Sequence, residues 1–215
     1  MKKELESRFK DLWTRLEAKG DYLPVFNRFV VSYSEPHRYY HGLKHLEHCL
    51  VEFDEVRHLY ANPEAIEFAF WGHNLVHDTH RQDNEEISAL DAVQILQKYR
   101  VSRVIQKDVW RLILITAHNV LPQQADEKVV VDIDLSIFGQ PAEEFNRYER
   151  QIRKEYSHIS EVVFRRERAN ILQKFLSRRE NLFSTKEFRE KYGEQALVNL
   201  QRTITLLDLS AKFNF

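Results

Sequence analysis

One cysteine, five glycines and five prolines in 215 residues set the first limits. A lone Cys49 cannot close an internal disulfide, so a reducing compartment is expected. So few glycines and prolines leave little punctuation for short strands and tight hairpins, and an all-helical fold is the expectation. Neither charge sign is in surplus: 32 Lys and Arg against 33 Asp and Glu leave a net charge of −1. No global attraction to nucleic acid or to a membrane surface follows from that balance. No window approaches the roughly 18 uninterrupted apolar residues of a membrane span. The first ten residues lack the apolar core of a secretory leader. The expectation is one cytoplasmic domain, residues 1–215, with no nucleic-acid and no membrane partner.

What the chain does have is apolar spacing of helical period. Leu5, Phe9, Leu12, Trp13 and Leu16 recur at intervals of three and four, predicting an amphipathic helix over 4–18. Further helices are predicted over 24–33, from about Gly42 to 59, over 63–74 with Pro63 in its first turn, over 84–98 and over 102–118. Asp83 with Glu86 resembles a capping box for the helix from 84. The run 129–139 is the only strand-like segment, and its length does not separate a strand from a buried helix. Helices over 141–156, 161–179 and 187–208 complete the chain, the last opened by a Ser184-Thr185-Lys186-Glu187 capping box. That last helix can pack internally or against a second copy in a homo-oligomer.

Nine of the ten histidines fall between residues 37 and 118. Divalent metals such as Zn, Mn, Fe and Ni favour imidazole with carboxylate, and a catalytic site keeps positions open for water. His45, His73 and Asp134 offer such a set from separate helices or turns. The densest stretch is Ala69-Phe70-Trp71-Gly72-His73-Asn74-Leu75-Val76-His77-Asp78, an apolar run ending in metal-capable side chains.

Several pieces in order resemble the HD superfamily of metal-dependent phosphohydrolases, and more closely a bacterial group of predicted HD-type hydrolases. They are Arg38-Tyr39-Tyr40-His41 through His45, Ala69 through Asn74, Asp83-Asn84-Glu85 with Ser88-Ala89, Thr116-Ala117-His118, Asp132 through Ile137, and Tyr148 to Tyr156. The resemblance implies an all-α HD-type bundle and a divalent ion (Mn, Fe, Ni, Co, Zn or Mg) held by His45, His73, position 74 and Asp134. It suggests His41 as a general acid, with His77 and Asp78 as further catalytic groups. A phosphate-containing substrate would meet Arg153, Arg38 and His118, a guanidinium being suited to bidentate phosphate contact.

One position departs from the family. The Asp of the His-Asp doublet is Asn74 here, a neutral amide that donates one weak oxygen and no charge. Three outcomes follow: one metal instead of two, a site rebuilt with His77 or Asp78, or a site that binds without turnover. The expected function is hydrolysis of a small phosphate ester, a nucleotide being the expected class. The alternative is an impaired relative that binds a nucleotide or protein partner. The basic stretch 165–179 is interleaved with Glu167 and lacks stacking aromatics, so it reads as a solvated helix face.

Overall fold

The computed structural model describes the backbone of residues 1–212 and the side chains of residues 1–208. All regular structure among them is helical, as the scarcity of glycine and proline predicts. None of these helices is long and apolar enough to cross a membrane. The chain divides into two compact units, Met1–Val131 and the remainder from Asp132.

In the first unit, α1 (Lys2–Arg15) buries Leu5, Phe9, Leu12 and Trp13, and α2 (Leu23–Ser32) buries Val25, Phe26 and Phe29. Gly20, at φ 97°, makes the left-handed turn between them, and its carbonyl accepts the Trp13 indole N–H at 3.0 Å. After α3 (Leu43–Val56) comes α4 (Pro63–Gly72), then α5 (Asn84–Lys98), α6 (Arg103–Leu114) and α7 (Ala125–Asp134). The division between the units falls inside α7. Helix α4 is the centre of its unit: every residue from Ala65 to Gly72 is buried, against α1, α3, α5 and α6. A helix apolar all round is a core helix. Trp71 sits edge-on to Phe9 at 4.8 Å, with Phe29 at 5.8 Å.

One charged group lies within this apolar setting. The Glu67 side chain is 1% exposed and accepts from three arginines: Arg8 Nε at 2.7 Å, Arg15 Nη2 at 2.7 Å, and Arg57 Nη1. Arg8 also holds Asp54 through both terminal nitrogens, at 2.6 and 2.8 Å. Burial of a carboxylate is sustained only by such pairing.

Gly72 lets α4 approach α5 and α6 closely. A Cβ there would stand 2.8 Å from Ile113 Cδ1 and 3.1 Å from Ala92 Cβ. Gly72→Ala is therefore expected to cost about 1–3 kcal/mol by overpacking, measured as a lower urea midpoint with an unchanged slope. An unchanged midpoint would mean that Ile113 swings aside at no cost.

In the second unit, a 3-10 segment (Leu135–Gly139) follows α7, then α8 (Ala142–Glu155), α9 (Glu161–Ser177) and α10 (Lys186–Lys212). The run left open as strand or helix is thus helical. Val129, Val130, Val131, Ile133 and Leu135 are all buried, a pattern without the alternation of a half-exposed strand. Two expected caps are placed differently. Phe188 N–H donates to Thr185 Oγ1 at 3.5 Å, so Thr185 opens α10 in place of Ser184. The reason is Asp132, whose carboxylate accepts from Ser184 N–H at 2.8 Å and from Thr185 N–H and hydroxyl at 2.7 Å each. Burial pushes the Asp132 carboxyl above its usual range despite these donors. Asp83 does precede α5, but Arg81 takes its carboxylate at 2.9 and 2.7 Å, and no side-chain cap forms.

Candidate metal centre

Gly42 caps helix α3, whose first two turns carry His45 and Cys49, four residues apart and both buried. Helix α4 ends at Gly72, and His73 follows as its C-terminal cap, 2% exposed. The two elements bring His45 Nε2 and His73 Nε2 to 3.0 Å. Cys49 Sγ stands 3.7 Å from His45 Nε2. One donor atom from each of the three lies within 4.8 Å of the others.

The tautomer of His73 is set by its backbone. Nδ1–H donates to the Phe70 carbonyl at 2.8 Å, so Nε2 carries the lone pair. This is how a ligating histidine is oriented in metal sites. Two nitrogens bound to one ion at about 2.0–2.1 Å stand about 3.0–3.4 Å apart, so the observed separation fits a shared cation. Two imidazoles and a thiol are a donor set for borderline metals such as Zn or Fe. This buried group can hold a metal ion.

Next to this pair the histidines continue. The His41 ring is 5.8 Å from that of His45 and 4.2 Å from that of His77. His77 is buried, and its carbonyl accepts from His37 Nε2–H at 2.8 Å.

The turn 73–78 has little backbone partnership of its own, and side chains from elsewhere hold it. Arg38, its side chain 1% exposed, donates to the carbonyls of Asn74 and Leu75, the latter at 3.1 Å, and to Glu35 at 2.8 Å. Asn74 N–H donates to the Tyr33 hydroxyl at 3.3 Å. Ser88 brackets Val76, accepting from its N–H at 3.0 Å and donating to its carbonyl at 3.3 Å. Asn84 does the same for Asp78, at 3.0 and 2.9 Å. Buried backbone groups need such partners wherever no helix supplies them.

The remaining expected site residues are placed as follows. Asp78 accepts from His80 N–H at 2.9 Å through its carboxylate, a local turn contact. His118 closes a 3-10 turn in the left-handed region, φ 56°, a conformation more common in functional turns than elsewhere. Asn74 is half-buried. In the second unit, Asp134 is half-buried at the end of α7. Arg153 donates to Glu161 at 2.7 Å and to the carbonyls of Tyr156 and Ile159 at 2.8 and 3.1 Å. Glu149, four residues before Arg153 on the same helix, accepts from Arg168 at 2.6 Å. Arg168 also donates to the Tyr148 hydroxyl at 2.7 Å, and burial pushes that phenol up to about 12.

As a sequence feature Cys49 points only to a redox compartment, and the structure adds it to the donor set. The signal for more was its place four residues after His45, which puts the two on one helix face. Nothing local in the sequence announces the holding roles of Asn84 and Ser88, although both lie in a stretch that carries the resemblance. No protein-family model, curated protein or solved structure matches the chain.

Proposed function

We propose that this protein is a metal-dependent phosphohydrolase acting on a small phosphate ester, with nucleotides as the substrate class. The observation that carries the proposal is the buried pair of imidazole Nε2 atoms 3.0 Å apart, with His73 held in the metal-ready tautomer by the Phe70 carbonyl. A divalent ion at such a pair supplies a Lewis acid and an acidified water. The sequence resemblance adds Asp134 as the carboxylate ligand. His41 and His77, with rings 4.2 Å apart, are the groups on hand to give a proton to the leaving oxygen. Arg38 has its guanidinium committed to Glu35 and to backbone carbonyls, so its contacts support holding the 74–78 turn more than holding a phosphate.

Asn74 favours a second reading, in which the site binds a nucleotide or protein partner without turnover. A screen of nucleotides and phosphate esters with Mn, Co, Ni, Fe and Mg separates the two. On the first reading one class is hydrolysed, and His73→Ala lowers the rate by more than about 100-fold. Metal-loaded protein that is inactive on the whole panel, yet gains activity as Asn74→Asp, supports the second.

A further inference from the structure

We infer that a cleft between α5 and α6, sharing no residue with the histidine cluster, binds a small anion that carries an aromatic ring, in its simplest form a nucleoside monophosphate. The cleft has a volume of about 320 Å³ and is lined by Val93 of α5 and by Arg103, Gln106, Lys107 and Trp110 of α6. Intervals of three, four and seven residues put the last four on one face of the helix. Val109, Leu112 and Ile113 of the same helix face inward and are buried.

The chemistry of the lining is one-sided. It holds two cations, an indole, an amide and an aliphatic floor, and no carboxylate. Arg103 and Lys107 have no ion-pair partner among the described residues. The next cation on the helix, Arg111, is bound by Asp126, Glu127 and Asp108. Arg103 is also the first residue of a 12-residue helix, where the backbone dipole adds positive potential. A phosphate is the group such a corner recognises.

The aromatic part of the inference comes from Trp110. It is 38% exposed, whereas Trp13 and Trp71 are 4% and 0% exposed. An indole face beside cations suits a planar base by stacking, and such stacking tolerates many ring systems. Gln106 donates to the Val101 carbonyl at 2.8 Å, which fixes its amide and leaves the side-chain oxygen as an acceptor for an exocyclic amine. The volume lies at the lower end of small-ligand sites, about 300–1,000 Å³. That is room for a single nucleotide. A polyanion is disfavoured, because two cations on a chain of net charge −1 give little counterion release.

The test is a titration of the full chain with adenosine 5′-monophosphate in chelator, read by tryptophan fluorescence and by calorimetry. Trp110 is the exposed reporter, so saturable quenching is expected. Arg103→Glu with Lys107→Glu should weaken binding by about tenfold or more, with the helical circular dichroism retained. Trp110→Phe should lose the optical signal while calorimetry still detects binding. His45→Ala with His73→Ala should leave the affinity unchanged, which keeps this cleft distinct from the proposed hydrolase site. Absence of saturation at millimolar nucleotide, equal affinity in the charge-reversed variant, or loss of binding in the histidine variant would each overturn the assignment. Inorganic phosphate binding as tightly as the nucleotide would remove the aromatic requirement and overturn it as stated.

Discussion

Purified protein should carry a transition metal through desalting, and the His45→Ala, His73→Ala double variant should carry less than a tenth as much by elemental analysis. The two Nε2 atoms at 3.0 Å are the reason. Removing one ring leaves a single buried imidazole of the pair, and removing both leaves neither. Thermal stability gives a second reading of the same event. Metal at 100 times its dissociation constant adds about 2.7 kcal/mol to the folded state. At about 2–4 °C per kcal/mol for a chain of this size, that is a rise of roughly 5–10 °C. The double variant should show none of it. Cys49→Ser sorts the donor set: with cobalt bound, loss of the thiolate charge-transfer band identifies Cys49 as a ligand. Equal metal content in wild type and double variant would dismiss the centre altogether.

Glu67→Ala should destabilise the fold by about 3 kcal/mol, toward the lower part of the range for breaking a buried ion pair. The variant removes the one carboxylate that three guanidiniums share, leaving Arg8 with Asp54 and both Arg15 and Arg57 with Glu64. Arg8, Arg15 and Arg57 retain side-chain exposures of 21%, 38% and 25%, so each can turn partly to water, which limits the loss. The carboxylate itself cannot, at 1% exposed. Chemical denaturation should show the loss, and it should persist in high salt, because screening acts weakly on a buried group. A change below about 1 kcal/mol would mean that the cluster is effectively solvated. Glu67→Gln should fall between, since its amide oxygen can accept from one arginine but carries no charge.

The helices were legible because their apolar residues recur with the period of a helix, as in Leu5, Phe9 and Leu12. The run 129–139 was not, because a segment buried on every side loses the contrast that separates the two periods. Caps failed where a distant residue competed. Nothing near Ser184 announces that Asp132 will take its N–H, and Arg81 removes the Asp83 carboxylate from its own helix. The Glu67 cluster was invisible for a related reason: Arg8 and Arg15 lie 59 and 52 residues away along the chain. Within the candidate centre, His45 and His73 stood out through order and spacing, and the structure brings their rings together. Cys49 was within reach of the same reasoning by its helical interval from His45.

The side chains that grip the 74–78 turn have a consequence for anyone wishing to move this centre. Almost none of the turn's shape is encoded in the turn. Its carbonyls and amides are satisfied by Tyr33, His37, Arg38, Asn84 and Ser88, from stretches both before and after it. Residues 73–78 spliced alone into another helical scaffold would keep the histidines and lose their aim. The smallest transplantable unit is three strips, 33–49, 70–78 and 84–88, which a designer would have to carry together.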